Sequence, residues 1–451
     1  MTSFGHKDAS VQGWNPSVRI QGQIYHQLGS LMPPEDRRAR YIQVYFLEQH
    51  EDHKNIMFLD APGGAGKTYL QNLILAKIRS EGKIVLATAS SGIAATLMDE
   101  PTCSVTRNSN MAKVLRETKA IIVDEAPMKT MGGIQTLLSG DFRQILPVVK
   151  NGTRANIVDA SLKESYLWRH VFVKKLTTNM RAHMTGDSDS ANFSNLLLTI
   201  GDGHLPYVEV PDTILVPEEL GKCVEKLEDL KARVYPDLSM NGKHPDWLAE
   251  RAIVSPLNAN VNKLNKWLMS EFPGQEKVYK SIDTTTNDDE AVQYPTEFLN
   301  SIELSGMPPH LLKVKVGSPI MILRSLDPPQ TINGTRCVVT RLHENLIEAT
   351  IIFGPYKGQA LLIPMIPLIP SDSELPFAIR RLQFPVRPCF ALSINKSQGQ
   401  TFKTIGIDLT DPCFSHGLFY VAVSRTGTSK NLYILANQRK TRNVVYPEVL
   451  H

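Results

Sequence analysis

Residues 61–68 read APGGAGKT and have the residue types and spacing of a loop that binds phosphate. Glycines at positions 63, 64 and 66 allow the backbone to curl, so that successive N–H groups converge on phosphate oxygens. Lys67 can reach the β- and γ-phosphates of a nucleoside triphosphate, and the Thr68 hydroxyl can bind Mg²⁺. Ala61 stands where the strict pattern has glycine. The predicted nucleotide-binding residues are Gly63, Gly64, Ala65, Gly66, Lys67, Thr68 and Tyr69.

A pair of acids, Asp124 and Glu125, follows the apolar run AIIV, 57 residues after Lys67. A carboxylate at the end of a buried strand can hold the Mg²⁺ shell, and we assign this metal role to Asp124 together with Thr68. Glu125 is placed to polarise an attacking water. An acidic pair after an apolar run is common by itself. Its combination with the phosphate loop predicts that the chain binds, or descends from a protein that bound, a nucleoside triphosphate.

The segments that carry these residues alternate between strand-like and helical patterns from Asn55 to about Asp141. NIMFLDA, KIVLATA and AIIVDEA predict strands, and KTYLQNLILAKIRS predicts a helix that begins near Lys67. SGIAATLM and MAKVLRETK predict short helices. Such alternation indicates a parallel sheet covered by helices.

A second alternating region starts in residues 250–272 and resumes at VRPCFALSINKSQGQTFKTIGIDL and FYVAVSR. Between the two parts lie short β-rich runs broken by Asn-Gly and Pro, which favour a small barrel or a hairpin domain inserted into a second sheet. The polar segments 184–192 and 281–292 are predicted loops.

Composition sets wider limits on the class of protein. A chain of 451 residues is long enough for two or three domains, and 42% hydrophobic with 21% charged residues fits a soluble globular protein. A formal charge of +4 is compatible with nucleic acid without requiring it. The five cysteines are far apart, so neither a disulfide framework nor a zinc site is expected. No apolar run approaches the ~18 residues that a membrane span needs, and we expect an intracellular protein.

Further motifs carry a family resemblance. SSGIAA (90–95), GDFRQILPVV (140–149), LTTNMRA (176–182), LSINKSQGQTF (392–402) and YVAVSRTGTSKNLYIL (420–435) follow the phosphate loop in order. This set resembles the motifs of superfamily-one DNA helicases, and is most similar to the Pif family in the version carried by Helitron transposons. The resemblance covers about Asn55 to Ala436.

The resemblance implies roles for individual residues. Gln144 resembles the glutamine that senses the γ-phosphate, and Arg181 and Arg425 resemble the two arginines that reach that phosphate from the second sheet. With Lys67 and Glu125, these three residues form the predicted catalytic set. INGTR (332–336) resembles the turn of a small β-barrel that helps to clamp single-stranded DNA. The predicted DNA-binding residues are Ser91, Asn333, Lys396, Ser397, Gln398 and Gln400.

The implied protein is an ATP-dependent DNA helicase in which ATP and Mg²⁺ drive 5′-to-3′ translocation on single-stranded DNA and duplex unwinding. Family roles are DNA repair, recombination and telomere maintenance. The expected fold is α/β, with two RecA-like parallel-sheet motor domains and a small β-barrel inserted in the second. The expected boundaries are 1–50 for a Helitron-like N-terminal remnant, 51–180 for the first motor domain, 181–451 for the second and about 310–385 for the barrel. A monomer in the nucleus, or alternatively the mitochondrion, is expected, with no membrane partner.

The sequence departs from the family pattern at three connections. Met98 runs into DEPTCSVTRNSN where the family has a Thr-Ala-His element, and only Gln49 is available upstream as an adenine-reading glutamine. Only residues 127–133 separate the acidic pair from the next apolar run. Seven extended residues reach ~23–25 Å, too short for a crossover helix, and a tight hairpin would place Asp141 and Gln144 at the wrong end of the sheet.

These departures favour an alternative function, a degenerate transposon-derived remnant that binds nucleotide or nucleic acid without unwinding. A nucleotide kinase or GTPase is a third possibility, but neither an N-K-x-D stretch nor a lid-like arginine cluster is found.

Overall fold

A computed structural model describes most of the chain and provides the structure of the protein. The described residues are 17–20, 23–26, 56–89, 118–124, 135–149, 152–165, 168–177, 188–208, 212–286, 293–304, 306–328, 330–370 and 375–450. A hairpin of β1 (Ser17–Ile20) and β2 (Gln23–His26) is the most N-terminal element among them.

Five parallel strands form the first sheet, which carries the phosphate loop. They are β3 (Ile56–Asp60), β4 (Val85–Ala89), β5 (Ala120–Asp124), β6 (Gln135–Gly140) and β7 (Val171–Lys175). Their order is β4-β5-β6-β3-β7, and every neighbouring pair is parallel. The predicted parallel sheet is therefore confirmed, with β6 between the strand of the phosphate loop and the strand of Asp124.

Alternating side chains give this sheet a core on each face, because successive residues of a strand point to opposite sides. Phe58, Val123 and Leu138 pack on one face. Helix α1 (Lys67–Ser80) covers the other face, where Leu75 packs against the partners Val85, Ala87, Ala120 and Ile122. The helix begins at the residue that the sequence predicted.

The short connection after Asp124 does not produce a hairpin. Strand β6 runs parallel to β5 with Ala120 opposite Gln135, so the hairpin alternative is wrong. Ten residues, 125–134, join the two strands, because β6 begins at Gln135 and extends only to Gly140. Ten extended residues reach about 33 Å, which is enough to return along a short strand. Asp124 and Asp141 consequently lie at the same edge of the sheet.

A second parallel sheet has five strands of its own. They are β9 (Lys222–Val224), β10 (Arg251–Ser255), β21 (Ala391–Ser393), β22 (Thr404–Asp408) and β23 (Leu432–Leu435). The order is β21-β10-β22-β23-β9. The hydrophobic residues of β10 divide between two large clusters on the two sides of the sheet, and Ile405 and Ile407 of β22 lie in the same cluster as Ala252 and Val254.

Further helices follow the first. They are α2 (Arg154–Asp159), α3 (Ser188–Gly201), α4 (Leu227–Val234), α5 (Leu238–Asn241), α6 (Pro245–Ala249), α7 (Asn258–Glu271), α8 (Thr296–Ser301) and α9 (Leu418–Val423). Short 3₁₀ turns occur at Leu162–Glu164, Trp168–His170, Glu218–Leu220, Ile394–Ser397, Ser429–Asn431, Asn437–Arg439 and Pro447–Val449.

Antiparallel strands fill the interval between β10 and β21 of the second sheet. They are β11 (Glu276–Lys280), β12 (Ile282–Thr285), β13 (Leu311–Lys315), β14 (Pro319–Ile322), β15 (Arg336–Leu342), β16 (Leu346–Ile351), β17 (Ala360–Pro364), β18 (Ile366–Leu368), β19 (Ile379–Gln383) and β20 (Val386–Pro388). They pair as β17-β16-β15-β14-β20, β12-β19-β18 and β11-β13. A β-rich insertion is therefore present, and its description as a barrel stays a prediction.

Two loop predictions are partly wrong. Residues 188–192 form the first turns of α3, and residues 282–285 form β12, which pairs with β19. In both segments tertiary packing overrides a polar local sequence: Phe193 and Leu197 of α3 reach the main core, and Asp283 is buried against Arg381. The predicted helices in 91–98 and most of 111–119 lie outside the described residues.

The C-terminal segment returns to both halves of the molecule. Strand β24 (Lys440–Arg442) pairs with β8 (Thr213–Leu215). Val444, Tyr446 and Val449 then pack with Leu146 and the α2 side chains Ile157 and Val158. Within the described residues, no helix is long and apolar enough to cross a membrane.

Candidate nucleotide site

The phosphate loop lies between the end of β3 and the start of α1. Gly64 and Gly66 have φ angles of 86° and 81°, in the left-handed region that favours glycine. Gly66 is the N-cap of α1, so the helix begins directly at Lys67. The N–H of Ala61 donates to the Gly140 carbonyl at 3.0 Å, which fixes the loop to the end of β6. The free N–H groups of a helix N-terminus and its dipole favour an anion at this position.

Lys67 and Asp124 face each other across this edge of the sheet. Lys67 Nζ lies 3.2 Å from Asp124 Oδ1, and the two side chains are 12% and 4% exposed. A lysine and a carboxylate at this distance, beside a loop of N–H donors, can bind the phosphates and the metal of a nucleotide.

Two buried side chains, Gln71 and Ser139, form a chain of hydrogen bonds that ends on the carboxylate of Asp124. The Ser139 hydroxyl donates to Asp124 Oδ1 at 2.8 Å and accepts from Gln71 Nε2 at 2.5 Å. Ser139 and Gln71 are both fully buried. Ser139 is the penultimate residue of β6 and Gln71 lies one helical turn after Lys67, so the network joins the sheet to α1.

The donor set at this edge fits Mg²⁺. Magnesium prefers oxygen ligands and keeps several waters. The half-buried Thr68 and the carboxylate of Asp124 supply a hydroxyl and a carboxylate oxygen. Gln71 Oε1 is buried without a hydrogen-bond partner, and is an acceptor available to a metal-bound water. Within the described ranges no group of three or more His, Cys, Asp or Glu side chains could hold a metal by itself.

The loop after β6, residues 141–144, packs against the half of the molecule that contains the second sheet. Asp141 is fully buried and accepts from the Tyr420 hydroxyl at 2.7 Å through Oδ2. His416 Nε2 lies 2.8 Å from the Phe142 carbonyl, and His416 Nδ1 accepts from the Tyr446 N–H at 2.9 Å. These contacts assign the neutral imidazole with its proton on Nε2. Burial lowers the pKa of His416 despite the hydrogen bond to the Phe142 carbonyl.

Charged groups around Asp141 perturb each other. Burial and the carboxylate of Asp141 raise the pKa of Asp60 at the end of β3. Although its own burial opposes this, the carboxylates of Asp141 and Asp202 raise the pKa of Arg143. Arg143 Nε donates to Asp202 Oδ1 at 2.7 Å, which links this loop to the turn after α3.

Gln144 and Gln398, predicted from separate motifs, lie together. Gln398 Nε2 is 3.5 Å from Gln144 Oε1, and both side chains are buried. The arrangement spans the two sheets, since Gln144 follows β6 and Gln398 follows β21.

Arg425 lies within the second half of the fold. Its Nε donates to the Val421 carbonyl at 2.8 Å, and Nη1 lies 3.5 Å and 3.4 Å from the carbonyls of Ser397 and Gln400. The guanidinium therefore stabilises the turn of the SINKSQGQ motif, and its role at a γ-phosphate stays a prediction.

Two predicted DNA contacts from distant parts of the sequence also meet. Lys396 Nζ lies 3.4 Å from Asn333 Oδ1 in the INGTR turn. Burial and the neighbouring Arg387 lower the pKa of Lys396. Gln400 Nε2 donates to the Lys396 carbonyl at 3.1 Å and Ser397 Oγ to the Ile394 carbonyl at 2.7 Å, so both side chains shape this turn.

Some predicted residues cannot be placed in this geometry. Glu125, Arg181 and Ser91 lie outside the described residues. Tyr69 is 72% exposed on the first turn of α1, and its predicted nucleotide contact stays a prediction.

Sequence reasoning missed Gln71, Ser139, His416 and Tyr420. Tyr420 opens the YVAVSR motif and Ser139 directly precedes the Gly-Asp of GDFRQ, so one lies inside a predicted motif and the other is next to one. Gln71 carries a weaker signal, its i+4 spacing from Lys67 on a helix.

Comparison with known proteins finds similarity to Pif1 helicases in three stretches of the chain. The family model described as PIF1-like helicase matches residues 37–102 and 129–210, and the model of the DNA helicase Pif1 2B domain matches residues 297–342. The ATP-dependent DNA helicase PIF1 of Danio rerio is 25% identical over 423 residues, which cover 85% of this chain and 58% of that protein. The chain likewise spans 63% and 57% of the length of the relatives from Emericella nidulans and Candida albicans, at 22% and 23% identity.

Solved structures share the fold. The crystal structure of Pif1 helicase from Candida albicans matches with a TM-score of 0.58 at 22% identity, covering 88% of this chain and 94% of that one. A structure of Pif1 helicase from Bacteroides in complex with ADP-AlF3 and ssDNA matches with a TM-score of 0.58 at 19% identity, covering 86% and 91%. The two parallel sheets are those typical of RecA-like domains.

Proposed function

We propose that this chain belongs to the PIF1-like helicase family and is an ATP-dependent DNA helicase, because both family models and the relatives that it matches are of that family. ATP and Mg²⁺ would bind at the phosphate loop, and hydrolysis would drive translocation on single-stranded DNA and unwinding of duplex DNA. The observation that carries the proposal is the pairing of Lys67 with Asp124 at 3.2 Å beside a loop with two left-handed glycines.

The residues of the nucleotide site and the other predicted catalytic residues would have distinct roles in hydrolysis. The loop N–H groups and Lys67 would bind the phosphates, and Mg²⁺ held by Thr68 and Asp124 would neutralise charge that develops on them. Ser139 keeps the Asp124 carboxylate oriented after Lys67 moves to the nucleotide, because its hydroxyl donates to the same oxygen. Gln144 would contact the γ-phosphate, and Glu125 would activate the attacking water. Arg181 and Arg425 would neutralise the negative charge that develops on the γ-phosphate.

The meeting of Lys396 and Asn333 supports a path for single-stranded DNA across the second sheet. Burial and the neighbouring Arg387 lower the pKa of the half-buried Lys396, so a DNA phosphate would stabilise its charge. Gln398 and Gln400 would extend this path for single-stranded DNA toward Gln144. We propose 5′-to-3′ movement, because the family resemblance implies it.

The domain assignment belongs to the same proposal. The boundaries are 51–180 and 181–451 for the two motor domains, with a barrel in about 310–385 and a Helitron-like remnant in 1–50. The match of the 2B model to residues 297–342 supports a family insertion there. We propose a monomer that acts in the nucleus, or in the mitochondrion, because its substrate is DNA.

The test is the Mg²⁺-dependent ATPase of the purified chain with and without single-stranded DNA. Lys67→Ala is expected to abolish DNA-stimulated hydrolysis, because Lys67 is the cation of the loop. Lys77→Ala is the matched control, since Lys77 lies on the same helix and is exposed in an ion pair with Glu81. It is expected to retain wild-type activity.

Stimulated hydrolysis that survives Lys67→Ala would contradict the proposal. A wild-type chain that binds nucleotide or DNA without stimulated hydrolysis or strand displacement would instead be the non-unwinding remnant. Strand displacement on substrates with a 5′ or a 3′ overhang tests the direction of movement.

A further inference from the structure

The hydroxyl of Tyr420 stands where three segments of the molecule meet. Tyr420 lies on α9 and its side chain is 2% exposed. The hydroxyl donates to Asp141 Oδ2 at 2.7 Å and makes a backbone hydrogen bond with Gly63 of the phosphate loop. Burial and Asp141 raise the pKa of Tyr420 well above its ordinary value, so the phenol stays protonated and donates.

The Tyr420 hydroxyl satisfies one oxygen of the buried Asp141 carboxylate. Its carboxylate is 0% exposed, and its other oxygen accepts from the Arg143 N–H at 3.1 Å and lies 3.4 Å from Arg143 Nη1. The Gln144 N–H donates to the Asp141 carbonyl at 3.0 Å. The position of Asp141 therefore sets the backbone path that carries Gln144.

The segment 416–420 fits this loop closely at two further points. His416 donates to the Phe142 carbonyl. Gly417 has φ +74°, and a Cβ at this position would overlap the Arg143 carbonyl oxygen and lie 2.7 Å from the Gln144 carbonyl carbon. The segment 416–420 thus contacts each of the four residues of the 141–144 loop through its backbone or side chains.

We propose that Tyr420 is a positioning residue that couples the second sheet to the nucleotide site. Its hydroxyl holds the Asp141–Gln144 loop and the first glycine of the phosphate loop in register, so a movement of α9 changes where Gln144 points. The inference rests on the proposed ATPase and adds a contact, separate from the predicted arginines, through which DNA on the second sheet would control hydrolysis.

The first test needs no ATPase activity. Hydrogen exchange of the peptide covering 141–149 is measured in the wild type, Tyr420→Phe and Tyr235→Phe. Tyr235 is the matched control, because it is equally buried and its hydroxyl donates to the Phe390 carbonyl at 2.6 Å within the second half of the fold. Only Tyr420→Phe is expected to accelerate exchange at Arg143 and Gln144. Unchanged exchange, or equal acceleration in both variants, would overturn the proposal.

The second test is kinetic. Tyr420→Phe is expected to lower kcat at saturating single-stranded DNA by about tenfold, the effect of losing one hydrogen bond to a charged group, with KM for ATP nearly unchanged. Tyr235→Phe is expected to match the wild type. If single-stranded DNA stimulates the ATPase of Tyr420→Phe as strongly as that of the wild type, the coupling role is contradicted. If the wild type shows no stimulation, the proposed function fails, while the exchange experiment still decides whether Tyr420 positions the loop.

Discussion

At the residue scale, one oxygen of Asp124 carries two contacts at once. Lys67 Nζ and the Ser139 hydroxyl both reach Oδ1, at 3.2 Å and 2.8 Å. A nucleotide phosphate would compete for the lysine and leave the serine in place. Under the proposed function, Ser139 would therefore keep the carboxylate oriented for Mg²⁺ when Lys67 binds the phosphates.

Ser139→Ala is expected to raise the Mg²⁺ concentration needed for half-maximal ATPase by about tenfold, because a hydrogen bond to a charged group contributes ~1.5–3 kcal/mol. Ser139→Thr retains the hydroxyl and is expected to recover most of the affinity. Ser80→Ala, at the exposed end of α1, is the control. A Mg²⁺ titration of Ser139→Ala that overlays the wild type would refute this role.

At the element scale, the β-rich insertion is held by one buried ion pair. Arg381 of β19 contacts Asp283 of β12 through Nε at 2.9 Å and Nη2 at 2.7 Å, and both side chains are almost fully buried. The same guanidinium donates to the carbonyls of Pro308, Leu299 and Ile302. A single side chain thus ties β12, the end of α8 and the segment before β13.

Arg381→Met is expected to destabilise the protein by about 3–5 kcal/mol, because it leaves a buried carboxylate without its partner. The double variant Arg381→Met/Asp283→Leu removes that charge as well and is expected to be less destabilised than the single variant. Urea unfolding measures both. Glu344→Gln, which breaks the exposed pair with Lys277, is the control and is expected to leave the midpoint unchanged. Equal destabilisation of the single and double variants would rule out an uncompensated charge as the cause.

At the scale of the whole molecule, the C-terminal segment and His416 fasten the two sheets to each other. Tyr446 donates its N–H to His416 and stacks on the imidazole at 5.3 Å, while Arg154 of α2 lies over the Tyr446 ring and pairs with Glu448. The charged groups that face His416 are Asp141, Arg154 and Glu448. Protonation of Nδ1 would remove the acceptor for the Tyr446 N–H.

Stability is expected to depend on pH through His416. Since its pKa is lowered in the folded protein, the unfolded chain binds more protons below the ordinary value of 6.5, and the stabilisation present above that pH is lost as pH falls toward the folded pKa. The urea midpoint is expected to drop between pH 7.5 and pH 5.5, and His416→Gln is expected to reduce the drop. His244→Gln, at an exposed histidine, is the control. A pH dependence that is identical in His416→Gln and wild type would exclude His416 as the source.

Local sequence predicts the structure correctly where the interacting residues are close together in the chain. The strand, the two left-handed glycines and the helix from Lys67 lie within one stretch, so APGGAGKT predicts the loop directly. The alternating patterns likewise predict β10 followed by α7. The loop predictions for 184–192 and 281–292 are wrong at 188–192 and 282–285, because long-range packing and the buried pair of Asp283 with Arg381 decide those segments.

The sequence by itself therefore determined the phosphate-loop motif, the acidic strand end and the resemblance to the Pif helicases. Only the tertiary structure decided that β6 lies parallel between β3 and β5, which brings Ser139 to Asp124 and places Asp141 at the same edge of the first sheet. It also decided the meeting of Tyr420 with Asp141, 279 positions apart. The physical reason is that hydrogen bonds and burial act through space, and a local pattern does not specify which distant partner will satisfy a buried carboxylate.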